Sequence, residues 1–401
     1  MKKTWVSIPD VLFFQEGPGV RNTQYTASGI KLLNVANLVD GKIDLSTSDR
    51  YISEEEAYGR YRHFLCDEGD FIVASSGIKV EYIDKKMGFV EKSMLPLCMN
   101  TSTIRFKVLN QNQLRIRYFM YYLKSDHFKN QLGRQITGSA QLNYGPSHLK
   151  KMVVPLVDIS AQDEIVSKMD AIQHIIDLRN SQLMHLDDLI KARFVELFGD
   201  PIVNSCKLPV VTLGEISGLI TKGASPSWQG FSYINDKSQT LFVTSENVRE
   251  GYLDLSSPKY VEDGFNVKQK RSVIHKGDFL INIVGASIGR AAQFNLDCKA
   301  NMNQASALVR IKDRRINGKY LLTYLNSDKA QRMYDSMKSD TGRANLSLQD
   351  ISNLSILLPP IKKQIEFDQF VNKVDQSESA VQKSLDEAQL LFDSLMQQYF
   401  E

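Results

Sequence analysis

Residues 162–198 read QDEIVSKMDAIQHIIDLRNSQLMHLDDLIKARFVELF, and residues 364–400 read QIEFDQFVNKVDQSESAVQKSLDEAQLLFDSLMQQYF. The second stretch begins 202 residues after the first. In both stretches apolar residues recur at alternating steps of four and three, which is the period of a coiled-coil helix. At a rise of about 1.5 Å per residue, each stretch predicts a helix of roughly 55 Å. The two apolar stripes can bury each other.

We call the apolar positions of this period the helix seam. They are Ile165, Met169, Ile172, Ile176, Leu183, Leu186 and Ile190 in the first helix, and Phe367, Val371, Val374, Val381, Leu385, Phe392 and Leu395 in the second. Arg179 and Arg193 in the first helix and Glu378 in the second are charged residues at seam positions. A buried seam charge costs stability unless it is paired, and its best-attested role is to set the register of the helices.

The composition is typical of a folded protein without a membrane span. The chain has 401 residues, 42% hydrophobic and 24% charged, which is enough for two or more domains. No apolar run approaches the length of a membrane helix and no signal-type segment follows Met1, so we expect a cytoplasmic protein without a membrane partner. The 4 cysteines and 6 histidines are scattered and lack the spacing of a metal site.

Charge is divided unevenly along the chain, although the net charge is only +3. Basic residues exceed acidic residues by 21 to 16 in residues 1–160 and by 20 to 14 in residues 201–361. The helical segments, residues 161–200 and 362–401, each carry 4 basic and 8 acidic residues. A polyanion would therefore meet the globular segments and not the helices.

The two globular segments are diverged repeats of each other. The sequence GDF at residues 69–71 recurs at residues 277–279, and GKIDL at residues 41–45 corresponds to GYLDL at residues 251–255. The chain therefore divides into a globular domain at 1–158, a first long helix at 159–200, a second globular domain at 201–360 and a second long helix at 361–401.

Each globular domain combines strands and helices. Short β-branched and aromatic runs predict strands near residues 32–35, 71–73, 103–108, 241–244, 279–284 and 307–311. Residues 115–129 and 318–338 predict helices. Because strands and helices do not alternate regularly, we predict an α+β fold, present in two copies that are each followed by a long helix.

No catalytic site is recognisable in the sequence. It contains no P-loop, no Gly-rich dinucleotide loop, no Asn-Pro-Pro-Tyr/Phe motif of amino-group methylation and no nucleophile elbow. We therefore expect no catalytic residues, no metal and no bound cofactor.

The candidate binding residues lie in polar loops of both globular domains. Arg, Asn and Gln side chains can form paired hydrogen bonds with base edges, while Lys and Ser can hold phosphates, although polar residues are ordinary in any loop. The candidates are Arg21, Asn22, Lys79, Tyr82, Lys85, Lys86, Arg134, Gln135, Ser139, Gln141 and Asn143 in the first domain, and Lys222, Trp228, Ser287, Arg290, Asn303, Gln304, Arg343 and Asn345 in the second.

Several short motifs resemble the specificity (S) subunit of type I restriction–modification systems. They are GDF in both domains, GASIGR at 285–290, SAQLN at 139–143, LLPPI at 357–361 before the second helix and FGDP at 198–201 after the first. Their order and duplication carry the resemblance, which covers the whole chain. The first domain departs from the pattern, with SSGI at 75–78 in place of GASIGR.

The resemblance implies two target-recognition domains, each reading one half of a split, asymmetric sequence in double-stranded DNA. It implies that the long helices pack as an antiparallel coiled coil and dock two methyltransferase (M) subunits. The M subunits would bind S-adenosylmethionine and methylate adenine, and restriction (R) subunits would join for cleavage. This chain would be non-catalytic. We hypothesise that Arg179 and Glu378 fix the helix register by pairing with each other or with M-subunit residues.

Two other functions stay open. A protein–protein scaffold could use the coiled coil alone, but basic domains with polar loops argue against it. A fused methyltransferase–specificity protein would be an enzyme, but the missing cofactor motifs argue against it. DNA binding that weakens steeply with salt would exclude the scaffold, because phosphate contacts release counterions.

Overall fold

The computed structural model describes residues 2–136, 143–337 and 345–401. Its longest elements are the first long helix, Ile159–Phe198, and the second long helix, Ile361–Phe400. The chain forms two compact units, one of Met1–Asn180 with Lys383–Glu401 and one of Ser181–Gln382. Each unit holds one globular head and part of both long helices, whereas the sequence divides the chain at the helix ends. We call residues 2–158 the first head and residues 199–360 the second head.

The first head contains a four-stranded antiparallel sheet and a smaller three-stranded sheet. The four strands lie in the order Leu12–Glu16, Thr103–Val108, Phe71–Ala74 and Met87–Phe89. The three strands lie in the order Tyr51–Ile52, Ile30–Leu33 and Leu97–Met99, the last two parallel. Two-stranded pairs join Thr4–Ser7 to Val153–Leu156 and Leu38–Val39 to Lys42–Ile43.

The second head repeats this topology. Its four-stranded sheet has the order Ser217–Lys222, Ser306–Ile311, Phe279–Asn282 and Ala291–Gln293. Its three-stranded sheet has the order Lys259–Val261, Thr240–Val243 and Ala300–Met302. Val210–Thr212 pairs with Ser355–Leu357, as the equivalent strands do in the first head. The duplication predicted from short sequence motifs is therefore a duplication of strand order.

Both faces of each four-stranded sheet are covered. In the first head Phe71, Val73 and Phe106 pack against the helix Ile116–Lys124, while Ile72 and Ala74 face a second core shared with Leu33 and Met99. Successive residues of a strand point to opposite faces, so one short apolar run serves both cores. The sheet is thus a middle layer, which fits the predicted α+β class.

One predicted helix in each head is two helices. Residues 115–129 contain all of Ile116–Lys124 and the start of Asp126–Gln135, and residues 318–338 contain Gly318–Leu325 and Asp328–Met337. Ser125 is extended, donates its hydroxyl to Tyr122 O at 2.6 Å and accepts from Phe128 N at 3.2 Å. Its side chain ends one helix and caps the next, which apolar spacing alone does not reveal. Short helices are Ile8–Val11, Glu54–Tyr58, Pro146–Leu149, Leu213–Ile216, Gly264–Lys268 and Leu348–Ser352.

The repeated GDF motif has a structural role. Asp70 is buried. Its carboxylate accepts one hydrogen bond from Arg105 Nη1 at 3.1 Å and another from the backbone N–H of Asp67 at 2.9 Å. In the second head the Asp278 carboxylate accepts two hydrogen bonds from the Arg310 guanidinium, at 2.8 and 2.7 Å. The carboxylate thus joins its turn to the neighbouring strand, which explains why both copies keep an aspartate there.

The long helices run antiparallel in both units. In the first unit Ile165, Met169 and Ile172 pack with Phe392 and Tyr399, so the start of one helix meets the end of the other. In the second unit Phe194, Leu197 and Phe198 pack with Phe367 and Val371. The predicted antiparallel coiled coil is therefore confirmed. The remaining predicted seam residues are buried or half-buried, namely Ile176, Leu183, Leu186, Ile190, Val374, Val381, Leu385 and Leu395.

Of the charged seam positions, Arg179 and Glu378 differ in their surroundings. Half-buried Arg179 donates its Nε–H to Ser384 Oγ at 3.1 Å. Glu378 is exposed, and its carboxyl pKa is raised by partial desolvation and by the carboxylates of Asp187 and Asp375. The hypothesis that this pair fixes the helix register stays a prediction, which an Arg179→Leu variant with unchanged melting and M-subunit assembly would contradict.

Candidate nucleic-acid interface

The candidate loops of the first head emerge at one end of its four-stranded sheet. The strand register pairs Glu16 with Ile104 and Ala74 with Thr103, so two strands end where the central strand begins. Asn143 bridges to Ser76, and Tyr144 N donates to Ser75 O at 2.9 Å. We call residues 17–26, 75–86, 100–102 and 143–145 the first loop face.

The second head has an equivalent face. Lys222 pairs with Ala307 and Asn282 pairs with Ser306, and Asn345 bridges to Val284. We call residues 222–233, 283–290, 303–305 and 345–346 the second loop face. The register therefore brings together candidates that are more than a hundred residues apart in the sequence.

A glycine lets the first loop of each face cross close to the backbone of another loop. A Cβ on Gly17 would lie 2.0 Å from Asn100 O, and one on Gly223 would lie 1.7 Å from Met302 O. Gly17 N donates to Thr103 O at 2.9 Å, and Gly223 N donates to Asn303 O at 3.2 Å. Neither position accepts a larger residue without moving backbone, so both loops are held in place.

The lysines of the first loop face line an open groove. The 3₁₀ helix Val80–Lys85 forms one wall, and Lys79, Tyr82 and Lys85 are exposed there. Lys85 Nζ lies 5.8 Å from the centre of the Tyr82 ring. Lys86 differs, because its Nζ is half-buried and donates to Leu38 O at 2.7 Å. Lys79 and Lys85 are free to meet a phosphate, whereas Lys86 holds the groove together.

The other candidates of the first head lie on or beside this face. Arg21 and Asn22 are exposed at the turn Asn22–Gln24, which Gln24 anchors by donating to Glu56 Oε1 at 2.7 Å. Arg134 and Gln135 end the helix Asp126–Gln135, with Arg134 exposed. Asn143 is exposed. Ser139 and Gln141 lie outside the described residues.

The second loop face is stiffened by a buried asparagine. Asn282 donates to Ser245 O at 2.9 Å and to Ser287 Oγ at 3.1 Å, and accepts from Ser306 Oγ at 2.8 Å. The Ser287 hydroxyl thus holds the loop. Half-exposed Arg290 forms no ion pair with the residues that the structure describes.

The remaining candidates of the second face are polar or aromatic. Asn303 accepts from Ala305 N at 3.1 Å, and the buried Oε1 of Gln304 has no hydrogen-bond partner within the described part of the chain. Lys222 and Asn345 are exposed. Arg343 lies outside the described residues.

Among the residues that the structure describes, Trp228 has the most exposed large apolar side chain, at 80%. It sits in the turn Ser227–Gln229, which ends at Gly230 with a φ of 83°. Lys268 donates to Gln229 O at 2.7 Å, and Phe231 packs edge-on against Phe265 at 5.5 Å. The neighbours of Trp228 are thus fixed while its indole faces solvent, which is the presentation expected of a binding residue.

The structure adds a duplicated pair that the sequence analysis missed. Arg50 lies 5.4 Å from the ring centre of Tyr25, and Lys259 lies 5.6 Å from that of Tyr233. The loop of each tyrosine returns to the small sheet through the bridges of Thr26 to Tyr51 and of Ile234 to Tyr260. A cation on an aromatic ring beside each loop face adds positive charge near the candidates. The partners are far apart in sequence, and the only sequence signal is that Arg50 and Lys259 each precede a tyrosine, Tyr51 and Tyr260.

The described residues offer neither a membrane-spanning helix nor a metal site. None of their helices is long and apolar enough to cross a membrane. No group of three His, Cys, Asp or Glu residues in residues 2–136, 143–337 and 345–401 could hold a metal ion.

The two heads share one strand order, present different loop side chains, and are each followed by a long helix. Residues 25–186 and 208–388 match the family described as type I restriction modification DNA specificity domain. The chain belongs to this family.

Several curated relatives are specificity subunits of type I restriction enzymes. The chain is 26% identical over 151 residues to the type I restriction enzyme EcoBI specificity subunit of Escherichia coli, covering 38% of this chain and 32% of the relative. It is 21% identical over 306 residues to the StySPI specificity subunit of Salmonella potsdam, covering 70% of this chain and 63% of the relative. The chain thus spans a third to just under two thirds of these relatives' lengths.

Solved structures share the fold. A structure from work on complex assembly and conformational transition of the type I R-M system has a TM-score of 0.58 at 18% identity, covering 100% of this chain and 97% of that one. The type I S subunit from M. genitalium has a TM-score of 0.56 at 16% identity, covering 98% and 95%. At these identities the likeness concerns the fold.

Proposed function

We propose that this chain is the DNA-recognition subunit of a type I restriction–modification complex and reads a split, asymmetric DNA sequence. The observation that carries the proposal is the pair of loop faces, built on the same strand order but presenting different side chains. The first has Lys79, Tyr82 and Lys85 around a groove, and the second has Trp228 and Arg290. Two such faces would recognise two different half-sequences.

The charge of the chain supports DNA as the ligand. Both heads have a surplus of Lys and Arg, and both long helices have a surplus of Asp and Glu. Phosphates would therefore be drawn to the heads, and the helices would act as spacers between the half-sites. Half-sites one turn of DNA apart are separated by about 34 Å, a distance that a helix of roughly 55 Å can span.

The long helices are the proposed docking site for two methyltransferase subunits. They expose apolar side chains away from the seam, including Ile175, Leu178 and Leu390 in the first unit and Met184 and Leu189 in the second. Ile175 and Leu178 are three residues apart and therefore neighbours on one face of the helix, and adjacent exposed apolar side chains of this kind would suit a protein interface. S-adenosylmethionine and adenine methylation belong to those partners in this proposal, as DNA cleavage belongs to restriction subunits, and this chain is not itself an enzyme.

Mapping of methylated adenines tests the proposal. DNA is modified by this chain together with its methyltransferase partner, and every modified position is sequenced. We expect a motif of two defined halves with an unspecified gap. Exchanging residues 1–155 for those of a relative should change one half only, and exchanging residues 205–355 should change the other. A continuous motif, or a change of both halves by one exchange, contradicts it.

A further inference from the structure

A set of polar contacts fastens each head to the long helix that follows it, and we call this set the joint. In the first unit it consists of Arg115 and Arg117 of the head with Gln162, Asp163 and Asp170 of the first long helix. In the second unit it consists of Asn317 and Lys319 with Gln364, Asp368 and Asp375 of the second long helix.

The centre of each joint is a buried glutamine. Gln162 is 0% exposed, accepts from Arg115 N at 2.9 Å and donates to Gln113 O and Val157 O, both at 2.9 Å. Gln364 is 0% exposed, accepts from Asn317 N at 2.8 Å and donates to Arg315 O and Pro359 O at 2.9 and 2.8 Å. Three hydrogen bonds from one side chain connect the start of a head helix to the start of a long helix. Because the three bonds point to different backbone groups, they fix the orientation of one helix relative to the other.

Around the glutamine, the first unit adds two paired ion contacts. Arg115 donates through Nε and Nη2 to the two oxygens of Asp163, at 2.7 and 2.9 Å. Arg117 does the same to Asp170, at 3.1 and 2.6 Å, and the Tyr121 hydroxyl donates to Asp170 Oδ1 at 2.6 Å. Asp163 and Asp170 are seven residues apart, so both lie on the same side of the helix. A two-point guanidinium contact resists rotation in a way that a single point charge does not.

The second joint has weaker surroundings. Asn317 stands at the place of Arg115 and donates one hydrogen bond to Asp368 at 2.9 Å. Lys319 stands at the place of Arg117 and makes one contact with Asp375 at 2.5 Å. Both guanidinium forks are therefore replaced by single contacts, and the first joint is the stiffer of the two.

We propose that the joints are determinants of spacer-length specificity, with Arg117 a positioning residue for the first head; this rests on the proposed function. Once one head holds its half-site, the other binds at an effective concentration set by the geometry of the connection. A stiff joint concentrates the heads at one separation and one rotation. A softened joint lowers the effective concentration at the correct spacer and raises it at wrong spacers.

Binding of the full chain to a series of duplexes tests the proposal. The duplexes carry the two mapped half-sequences with the natural spacer, or with one or two base pairs added or removed. For Arg117→Gln we expect the preference for the natural spacer over its neighbours to fall about fivefold, the size expected when one charge-assisted fork is lost. Binding to a duplex with only the first half-sequence should stay unchanged, because Arg117 is not on the loop face.

The matched control is Lys168→Gln on the first long helix, which also carries Asp170, the partner of Arg117. Lys168 pairs with Glu164 within the helix at 2.6 Å, so its loss changes the charge as Arg117→Gln does but leaves the joint intact. Lys319→Gln should change the spacer preference less than Arg117→Gln does. Gln162→Ala should have the largest effect. Since that variant disturbs a buried site, the inference is judged on the half-exposed Arg117.

Each result has a defined meaning. Unchanged spacer preference in Arg117→Gln overturns the inference, and so does an equal loss in Lys168→Gln. A wild-type chain that binds both half-sequences with no spacer preference overturns the inference alone. A wild-type chain that recognises no split sequence overturns the proposed function, and the inference falls with it.

Discussion

At the scale of single residues, charged groups with the same sequence context serve different purposes. Lys85 and Lys86 are neighbours in the chain, but Lys85 lies over the Tyr82 ring in the open groove and Lys86 donates to a backbone carbonyl. Likewise Asp278 looks like a polar loop residue in the sequence, yet it is buried against Arg310. The difference is set by partners distant in sequence, which the residue types alone do not indicate.

The Asp278–Arg310 pair gives the first prediction. Asp278→Ala should lower the free energy of unfolding by about 2 kcal/mol, because it removes a buried carboxylate that accepts two charge-assisted hydrogen bonds, while the Arg310 side chain keeps 32% exposure to water. Urea unfolding followed by circular dichroism measures the loss. The exposed pair of Lys299 with Asp263 is the control, and Lys299→Ala should cost no more than about 1 kcal/mol. Equal losses would show that burial does not set the cost.

Trp228 gives the second prediction. It and Trp5 are the two tryptophans of the chain, so fluorescence can be assigned by substitution. Target DNA should change the emission of Trp5→Phe as much as that of the wild type and leave the emission of Trp228→Phe almost unchanged. Trp228→Ala should raise Kd at least about fivefold, which corresponds to about 1 kcal/mol. A DNA-induced change that disappears with Trp5 instead would place the indole of Trp228 outside the interface.

At the scale of elements, the period of the apolar residues was sufficient for the long helices and insufficient for the heads. The seam predicted helices over 162–198 and 364–400, and the structure has Ile159–Phe198 and Ile361–Phe400. A long helix repeats its apolar spacing many times, whereas a strand of a head has only two to six residues in which a pattern can show. The break at Ser125 was missed because a single hydroxyl decides it.

The sequence indicates which loops contain the candidate residues, but it does not indicate that these loops lie together at one end of a sheet. Arg21, Lys79 and Asn143 come together because the register places Glu16, Ala74 and Thr103 at one end of a sheet. Strand register depends on contacts across the sheet, which short sequence runs do not specify. The contact of the Arg50 guanidinium with the Tyr25 ring also depends on strand register, so short sequence runs did not predict it.

Two methionines of the first long helix give the third prediction. Met169 is 0% exposed in the seam, and Met184 is 64% exposed. Met169→Ala should lower the free energy of unfolding by about 2–5 kcal/mol through lost burial and a cavity. Met184→Ala should stay within about 0.5 kcal/mol of the wild type, as expected of surface sites. Thermal unfolding of both variants side by side makes the comparison, and similar melting temperatures would contradict the seam assignment.

At the scale of the whole molecule, the division of charge and the division of structure coincide. Basic residues are in surplus in the heads, which carry the loop faces, and acidic residues are in surplus in the long helices, which carry the joints and the seam. The acidic residues of the long helices also supply the ion-pair partners of Arg115 and Lys319. The carboxylates that fasten the heads are therefore part of the negative charge that would repel phosphates from the helices. Function and assembly thus draw on one electrostatic pattern.

The salt dependence of DNA binding tests this division, and it is the fourth prediction. Affinity for DNA should fall linearly with salt on logarithmic axes, with a slope of about 0.9 for each phosphate contact. The double variant Lys79→Gln with Lys85→Gln should reduce the slope by about 1.8, because both lysines are exposed in the groove of the first loop face. Lys168→Gln with Lys373→Gln removes the same charge from the long helices and should leave the slope unchanged. Lys86→Gln should instead lower the melting temperature, because its ammonium group holds Leu38 O. Equal slopes for the two double variants would mean that net charge alone, and not the groove, attracts the DNA.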